Sequence, residues 1–155
     1  MEIFTNFNPD EALAHLVALA LAYGLALPIG WNREKEERSA GVRTFPLVAM
    51  AACGFVLIST SLPGATPDVQ SRILAGLMTG IGFVGGGAIL KQGDRARGTA
   101  TAASLWATGA MGAAVGYGQL DIAVILSHVT VFTLVALTPL RKVVQEHSEI
   151  DDDAA

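Results

Sequence analysis

The stretch "SRILAGLMTGIGFVGGGAILK", residues 71–91, carries Gly80-x-Gly82-x-x-Gly85, the glycine spacing of a phosphate-cradling loop. A dinucleotide loop needs a strand before it and a helix start within it, so that backbone N–H groups face the pyrophosphate. Here the lead-in is apolar and continuous with the motif, and no βαβ pattern follows. A Gly-Lys-Ser or Gly-Lys-Thr is missing too, so no nucleotide is expected. Read as one membrane helix, the same residues make two small-xxx-small pairs, Gly76 with Gly80 and Gly82 with Gly86, through which another helix approaches closely. Gly109, Gly112, Ala113 and Gly116 repeat the device further along, predicting a tight pair of glycine-faced helices. Gly85, Gly86 and Gly87 exceed what packing requires, since each costs about 1 kcal/mol of helix propensity relative to Ala. Two readings stand open there: packing, or local unwinding that exposes backbone groups to an ion or substrate.

Working outward, the composition selects the solvent. Hydrophobic residues form 52% of the 155-residue chain and charged residues 15%, with a mean hydropathy of +0.48. Uncharged stretches run over Ala12–Asn32, Thr44–Pro67, Ile73–Leu90, Gly98–Leu120 and Ile122–Leu140. Each reaches the length of about 20 residues that a helix needs to cross roughly 30 Å of hydrocarbon. Five such helices would leave a soluble fold little polar surface. The expectation is an all-α polytopic integral membrane protein with spans near 11–31, 44–62, 71–90, 99–117 and 121–139, followed by a short acidic tail, 141–155. The N-terminus lacks the basic lead-in of a cleaved signal, its first basic residue being Arg33. Cys53 is the single cysteine and reads as a small apolar residue.

Charge sets the expected orientation. Nine of the ten Lys and Arg residues fall between spans one and two (Arg33, Lys35, Arg38, Arg43), between three and four (Lys91, Arg95, Arg97), or after five (Arg141, Lys142). Basic residues beside helix ends favour the cytoplasm, placing the N-terminus outside and the C-terminus inside. Asn8-Pro9-Asp10 reads as a helix start, Pro63-Gly64 and Gly116-Tyr117-Gly118 as outer turns. Trp31 and Tyr117 fall where interfacial rings sit.

The polar residues are few. Asp68 and Arg72, four apart, share a helix face and read as an interfacial salt bridge or as the mouth of an ion path. Arg97, Gly98, Thr99 and Thr101 form a hydroxyl-rich helix start, suited to capping by Thr99 or to holding an anion. The basic loops suit anionic lipid headgroups. His15 and His128 read as packed residues. No catalytic constellation lies inside a span, and no metal site or cofactor is expected.

Four stretches together resemble the membrane domain of the MgtC/SapB family: "GWNRE" (30–34), "AGVRTFPLVAMAACGF" (40–55), "DVQSRILAGLMTGIGFVGGGAIL" (68–90) and "RGTATAASLWATGAMGAAVGYGQ" (97–119). The resemblance is carried by Arg33, Gly41, Arg43, Thr44, Asp68, Arg72, Gly80, Gly82, Gly85, Gly87, Arg97, Gly98, Thr101, Ala102, Ala103, Leu105 and Trp106. Two positions depart from the pattern: Asn32, where the family usually has Glu, and Gly76, where it has Gln. The resemblance implies a five-span protein of the bacterial inner membrane, here a short member without the cytoplasmic domain that longer members carry. It also implies, through those longer members, links to magnesium stress, control of the ATP synthase and virulence-type adaptation.

The expected function is that of a non-enzymatic regulator. It would act through helix contacts with further copies or with other membrane proteins in the lipid bilayer, and no nucleic acid is expected as a partner. The glycine faces would make the contacts, with Arg33, Arg43 and Arg97 as a cytoplasmic recognition surface. The alternative is a small ion or solute channel or carrier that uses Asp68, Arg72 and a break at Gly85–Gly87.

Overall fold

A computed structural model describes residues 8–36, 40–92 and 95–139. Among them run α1 (Pro9–Glu36), α2 (Thr44–Ser61), α3 (Pro67–Gly87), the strands β1 (Leu90–Gln92) and β2 (Arg95–Arg97), α4 (Thr99–Gly116) and α5 (Leu120–Ala136). Five helices carry the fold, as the charge-free stretches lead one to expect. By length and composition, α1 and α2 suffice to cross a membrane, and α5 is apolar over 17 residues. Helices α3 and α4 are 21 and 18 residues long, but glycine and hydroxyl residues dilute their hydropathy.

Local chemistry sets the ends. Asn8 Oδ1 accepts from the Asp10 N–H, with Pro9 at the first helical position. Thr66 Oγ1 accepts from the Val69 N–H, again with a proline in the first turn. Gly64, Gly98 and Gly118 take positive φ at the turns, where a side chain would be strained. The hydroxyls of Ser59, Thr60 and Ser61 turn back onto the carbonyls of Val56 and Leu57 and satisfy the last turn of α2.

Four boundaries differ from the sequence expectation by three residues or more. Helix α3 starts at Pro67, not at 71, because Thr66 caps it there, and α5 closes at Ala136, not at 139. Helix α1 runs on to Glu36 instead of stopping near residue 31, because exposed Glu34, Lys35 and Glu36 continue it as a polar last turn. Helix α3 closes at Gly87, not at residue 90, and the chain then forms a short antiparallel ribbon that pairs Leu90 with Arg97. No mid-helix break occurs at Gly85–Gly87. These glycines are the final turn of α3, and the Ala88 and Ile89 N–H groups close on the Gly85 and Gly86 carbonyls. Arg38, Arg141, Lys142 and the tail 141–155 lie outside the described residues.

Helix α4 is the hub, packing against all four other helices; α3 lies on its α2 side and α5 on its α1 side. It reaches its neighbours by being thin. A Cβ on Gly112 would overlap the Ala49 carbonyl of α2, and one on Gly116 would lie 2.9 Å from the Cys53 carbonyl. One on Gly109 would overlap Ile81 of α3. The expected pairing of two glycine faces is therefore replaced by another arrangement. The glycines of α4 meet α2 and a single isoleucine. On α3 only Gly85 packs closely, 3.3 Å from the Ala102 carbonyl, while Gly76, Gly80, Gly82, Gly86 and Gly87 look into open space.

Small residues such as Ala22, Ala26, Ala49, Ala52, Cys53 and Ala123 share the interior with Phe45, Ile29, Leu105 and Met111, while many bulky apolar side chains point outward. Phe83 is 85% exposed and Phe132 71%. Gly112→Ala is expected to destabilise the fold by about 1–3 kcal/mol, as an overpacked contact does. Gly82→Ala, whose methyl meets nothing within 4 Å, is expected to be neutral or to stabilise by up to about 1 kcal/mol. Thermal unfolding in detergent, followed by circular dichroism, reads both.

Candidate functional site

Arg33, Arg43, Thr44, Arg97, Gly98, Thr99 and Thr101 lie at the end of the bundle where α1 finishes and α4 begins. Buried positions on α1 recur at Ala22, Ala26, Ile29, Gly30 and Arg33, one stripe at helical spacing. Arg33 falls on this stripe and is 3% exposed. Its guanidinium donates from Nε and Nη2 to Asn32 Oδ1, at 3.2 and 2.7 Å. The acceptor in this pair is a neutral side-chain amide.

Around it the backbone is drawn tight. A Cβ on Gly30 would lie 3.0 Å from the Gly41 carbonyl, and one on Gly41 would overlap the Glu34 carboxylate. Glu34 Oε2 in turn accepts from the Val42 N–H at 3.1 Å. The Gly41 carbonyl accepts from Thr44 and Phe45, starting α2. The turn between α1 and α2 is thus fastened by one carboxylate and two glycines. Gly98, in the left-handed region at φ 88°, brings α4 against the Ala88 carbonyl at the end of α3.

The residues expected to form one recognition surface separate here. Arg43 and Arg97 are exposed, whereas Arg33 is inside, because its α1 stripe faces the bundle. Thr101 is fully buried, Thr44 half-buried and Thr99 exposed. The cap of α4 is Gly98 without a side-chain hydrogen bond, so Thr99 does not serve as the cap. Lys35 rests over the Trp31 ring, 5.1 Å from its centroid, which anchors both at the helix end.

At the other end Arg72 Nε donates to Asp68 Oδ2 at 3.0 Å, with the side chains 79% and 71% exposed. A pair this open contributes little, about 0–1 kcal/mol. Trp106 sits in mid-α4 beside a crevice of about 280 Å³ with Met78, Ile81, Gly109 and Tyr117. A second crevice, about 600 Å³ between α2 and α3, has Gly76 and Gly80 in its wall. The buried hydroxyls of Ser59, Ser104, Thr108 and Ser127 are each held by a backbone carbonyl. Among the described residues no group of three His, Cys, Asp or Glu side chains converges as metal ligands would.

Sequence reasoning missed Glu34, Gly30 and the ribbon. The paired glycines Gly30 and Gly41, flanking a short charged turn, were the available signal for the first two. Gly41→Val is expected to push Glu34 off the Val42 N–H and to destabilise by about 1–3 kcal/mol, the cost of an overpacked contact. Glu34→Gln, which keeps an acceptor, should cost less. Chemical denaturation of the two purified variants in the same detergent makes the comparison.

The MgtC family profile matches residues 19–143. The chain is 40% identical over 136 residues to Protein MgtC of Brucella abortus, covering 87% of this chain and 55% of that protein. It is 36% identical to Protein MgtC of Salmonella typhimurium, covering 88% and 56%, and 34% identical to Protein SrpB of Synechococcus elongatus, covering 81% and 75%. The chain thus spans about half the length of the MgtC relatives it matches. No solved structure matches it.

Proposed function

Since this chain belongs to the MgtC family, we propose that it is a multi-pass protein of the bacterial inner membrane that regulates other membrane proteins through helix contacts. The observation that carries this reading is the apolar exterior. Phe83, Phe132, Leu16 and Trp31 cover the outside, around an alanine-rich interior that also holds Phe45, Leu105 and Met111. Water would penalise such a surface by about 25 cal/mol per Å² of apolar area, and a bilayer does not. The five helices then span, with the N-terminus outside and the C-terminus in the cytoplasm, as the basic loops favour.

The cytoplasmic end supplies the recognition surface: exposed Arg43, Lys91 and Arg97 stand around the Glu34 turn and the ribbon. Arg33, being inside, holds this end together and does not greet a partner. The carrier reading loses the helix break it relied on, since α3 is continuous to Gly87 and the Asp68–Arg72 pair lies on the surface. The process regulated is adaptation to low magnesium, an assignment that rests on the family resemblance.

Single cysteines in a Cys53→Ala background test the topology. Ala65→Cys is expected to react with an impermeant maleimide in intact cells, and Lys91→Cys only after permeabilisation; the opposite pattern inverts the orientation, and equal labelling removes the spans. A double Arg43→Ala, Arg97→Ala variant should insert normally. It should fail to restore growth of a deletion strain at low magnesium and lose the partners co-purified in mild detergent. Restored growth with intact co-purification would overturn the recognition surface.

A further inference from the structure

His128 is the polar residue that the proposed function leaves unused. It is equidistant from Leu120 and Ala136, the ends of α5, so about 12 Å from each. Its Nδ1 donates to the Val124 carbonyl of its own helix at 2.8 Å. In the tautomer that carries its proton on Nδ1, Nε2 is an acceptor, and among the described residues no donor meets it. The side chain is exposed along a groove of about 550 Å³ between α1 and α5, whose walls include Gly24, Pro28, Ser127 and Phe132.

The α1 wall of the groove contains a proline. Pro28, inside α1, has no N–H to close on the Gly24 carbonyl, and Gly24 has no side chain to cover it. The next carbonyl, Leu25, takes a hydrogen bond from Ser127 Oγ at 2.8 Å. In hydrocarbon an unmet polar group costs several kcal/mol. Acyl chains carry no donor, so what covers this groove at mid-depth must bring an O–H or N–H.

We infer that the α1/α5 groove is the docking site for α3 of a second copy of this chain, with Thr79 of that copy donating to His128 Nε2. The inference deepens the proposed helix-contact function and rests on its five-span topology. Thr79 is exposed and lies two residues past Leu77, the midpoint of α3, within about 3 Å of the helix centre. Helices α3 and α5 run in the same direction through the bundle, which places donor and acceptor at one depth when copies insert alike. Thr79 Oγ1 donates to the Ala75 carbonyl at 2.9 Å within one chain. That carbonyl keeps its helical N–H partner when the hydroxyl turns outward. Gly76 and Gly80 beside Thr79 have nothing within 4 Å, so the α3 backbone can enter the groove. Because α3 and the groove lie on different flanks of α4, the contact is head-to-tail, and each copy offers one α3 and one groove.

Cross-linking tests this in membranes, in a Cys53→Ala background under copper-phenanthroline oxidation. Differently tagged Thr79→Cys and His128→Cys chains, co-expressed, are expected to form a mixed dimer, and a chain carrying both changes a ladder beyond the dimer. Thr79→Cys dimers with themselves alone would place α3 against α3 and overturn the inference. So would no cross-link in chains whose spans are confirmed by the Lys91→Cys labelling pattern. Loss of that labelling pattern would instead sink the topology beneath it. In nanodiscs, Thr79→Val should weaken self-association by about threefold to twentyfold, the range of one interhelical hydrogen bond, while Thr79→Ser keeps it. A wild-type chain that is monomeric there, its groove covered by lipid, would also overturn the inference.

Discussion

The close approach of α4 to α2 is the contact on which the rest of the bundle depends. At Gly112 the α4 backbone lies directly against the Ala49 carbonyl, and one turn on Gly116 does the same against Cys53. Between helices in lipid the hydrophobic effect supplies little, and the gain comes from many short dispersion contacts between backbones. Only a helix without side chains along that face can take the central position. Once α4 is there, α1 and α5 close on one side and α3 on the other. Phe45, Leu105 and Met111 fill the gaps between the helices, and the other bulky side chains turn outward.

A second constraint operates at the end where α1 meets α2. Arg33 follows the same stripe that buries Ala22, Ala26 and Ile29, so helix geometry carries a charge into the interior. Its hydrogen bonds to Asn32, the Glu34 bond to the Val42 N–H and the tight passage of Gly30 past Gly41 make this turn a fastened structure. The exposed Arg43 leaves this turn directly, and Arg97 stands at the end of the ribbon.

Much of this was legible in the residues. The charge-free stretches located five helices, and Pro9, Gly98 and Gly118 marked ends where the structure has them, because proline and positive-φ glycine act on the backbone locally; Pro67, read as part of the outer turn, instead opens α3. The end of α3 was misjudged because residues 88–90 are as apolar as the helix before them, and hydropathy does not record where a backbone turns into a ribbon. The site was less legible. Arg33, Arg43 and Arg97 look equivalent in the sequence, and only the α1 stripe, read at helical spacing, separates the first from the others.

What the sequence by itself determined is local: which residues are helical, which of them share a face, and that the exterior suits lipid. Helical periodicity settles that much, since it depends on spacing alone. The tertiary structure decided what each face meets. Gly112 and Gly80 are the same residue type in similar small-xxx-small settings, yet one is pressed against a carbonyl and the other is open. His128, by periodicity an ordinary member of an apolar helix, lines one groove with Gly24 and Pro28 of another helix. Such pairings join residues a hundred positions apart, and they follow from how five helices share limited space.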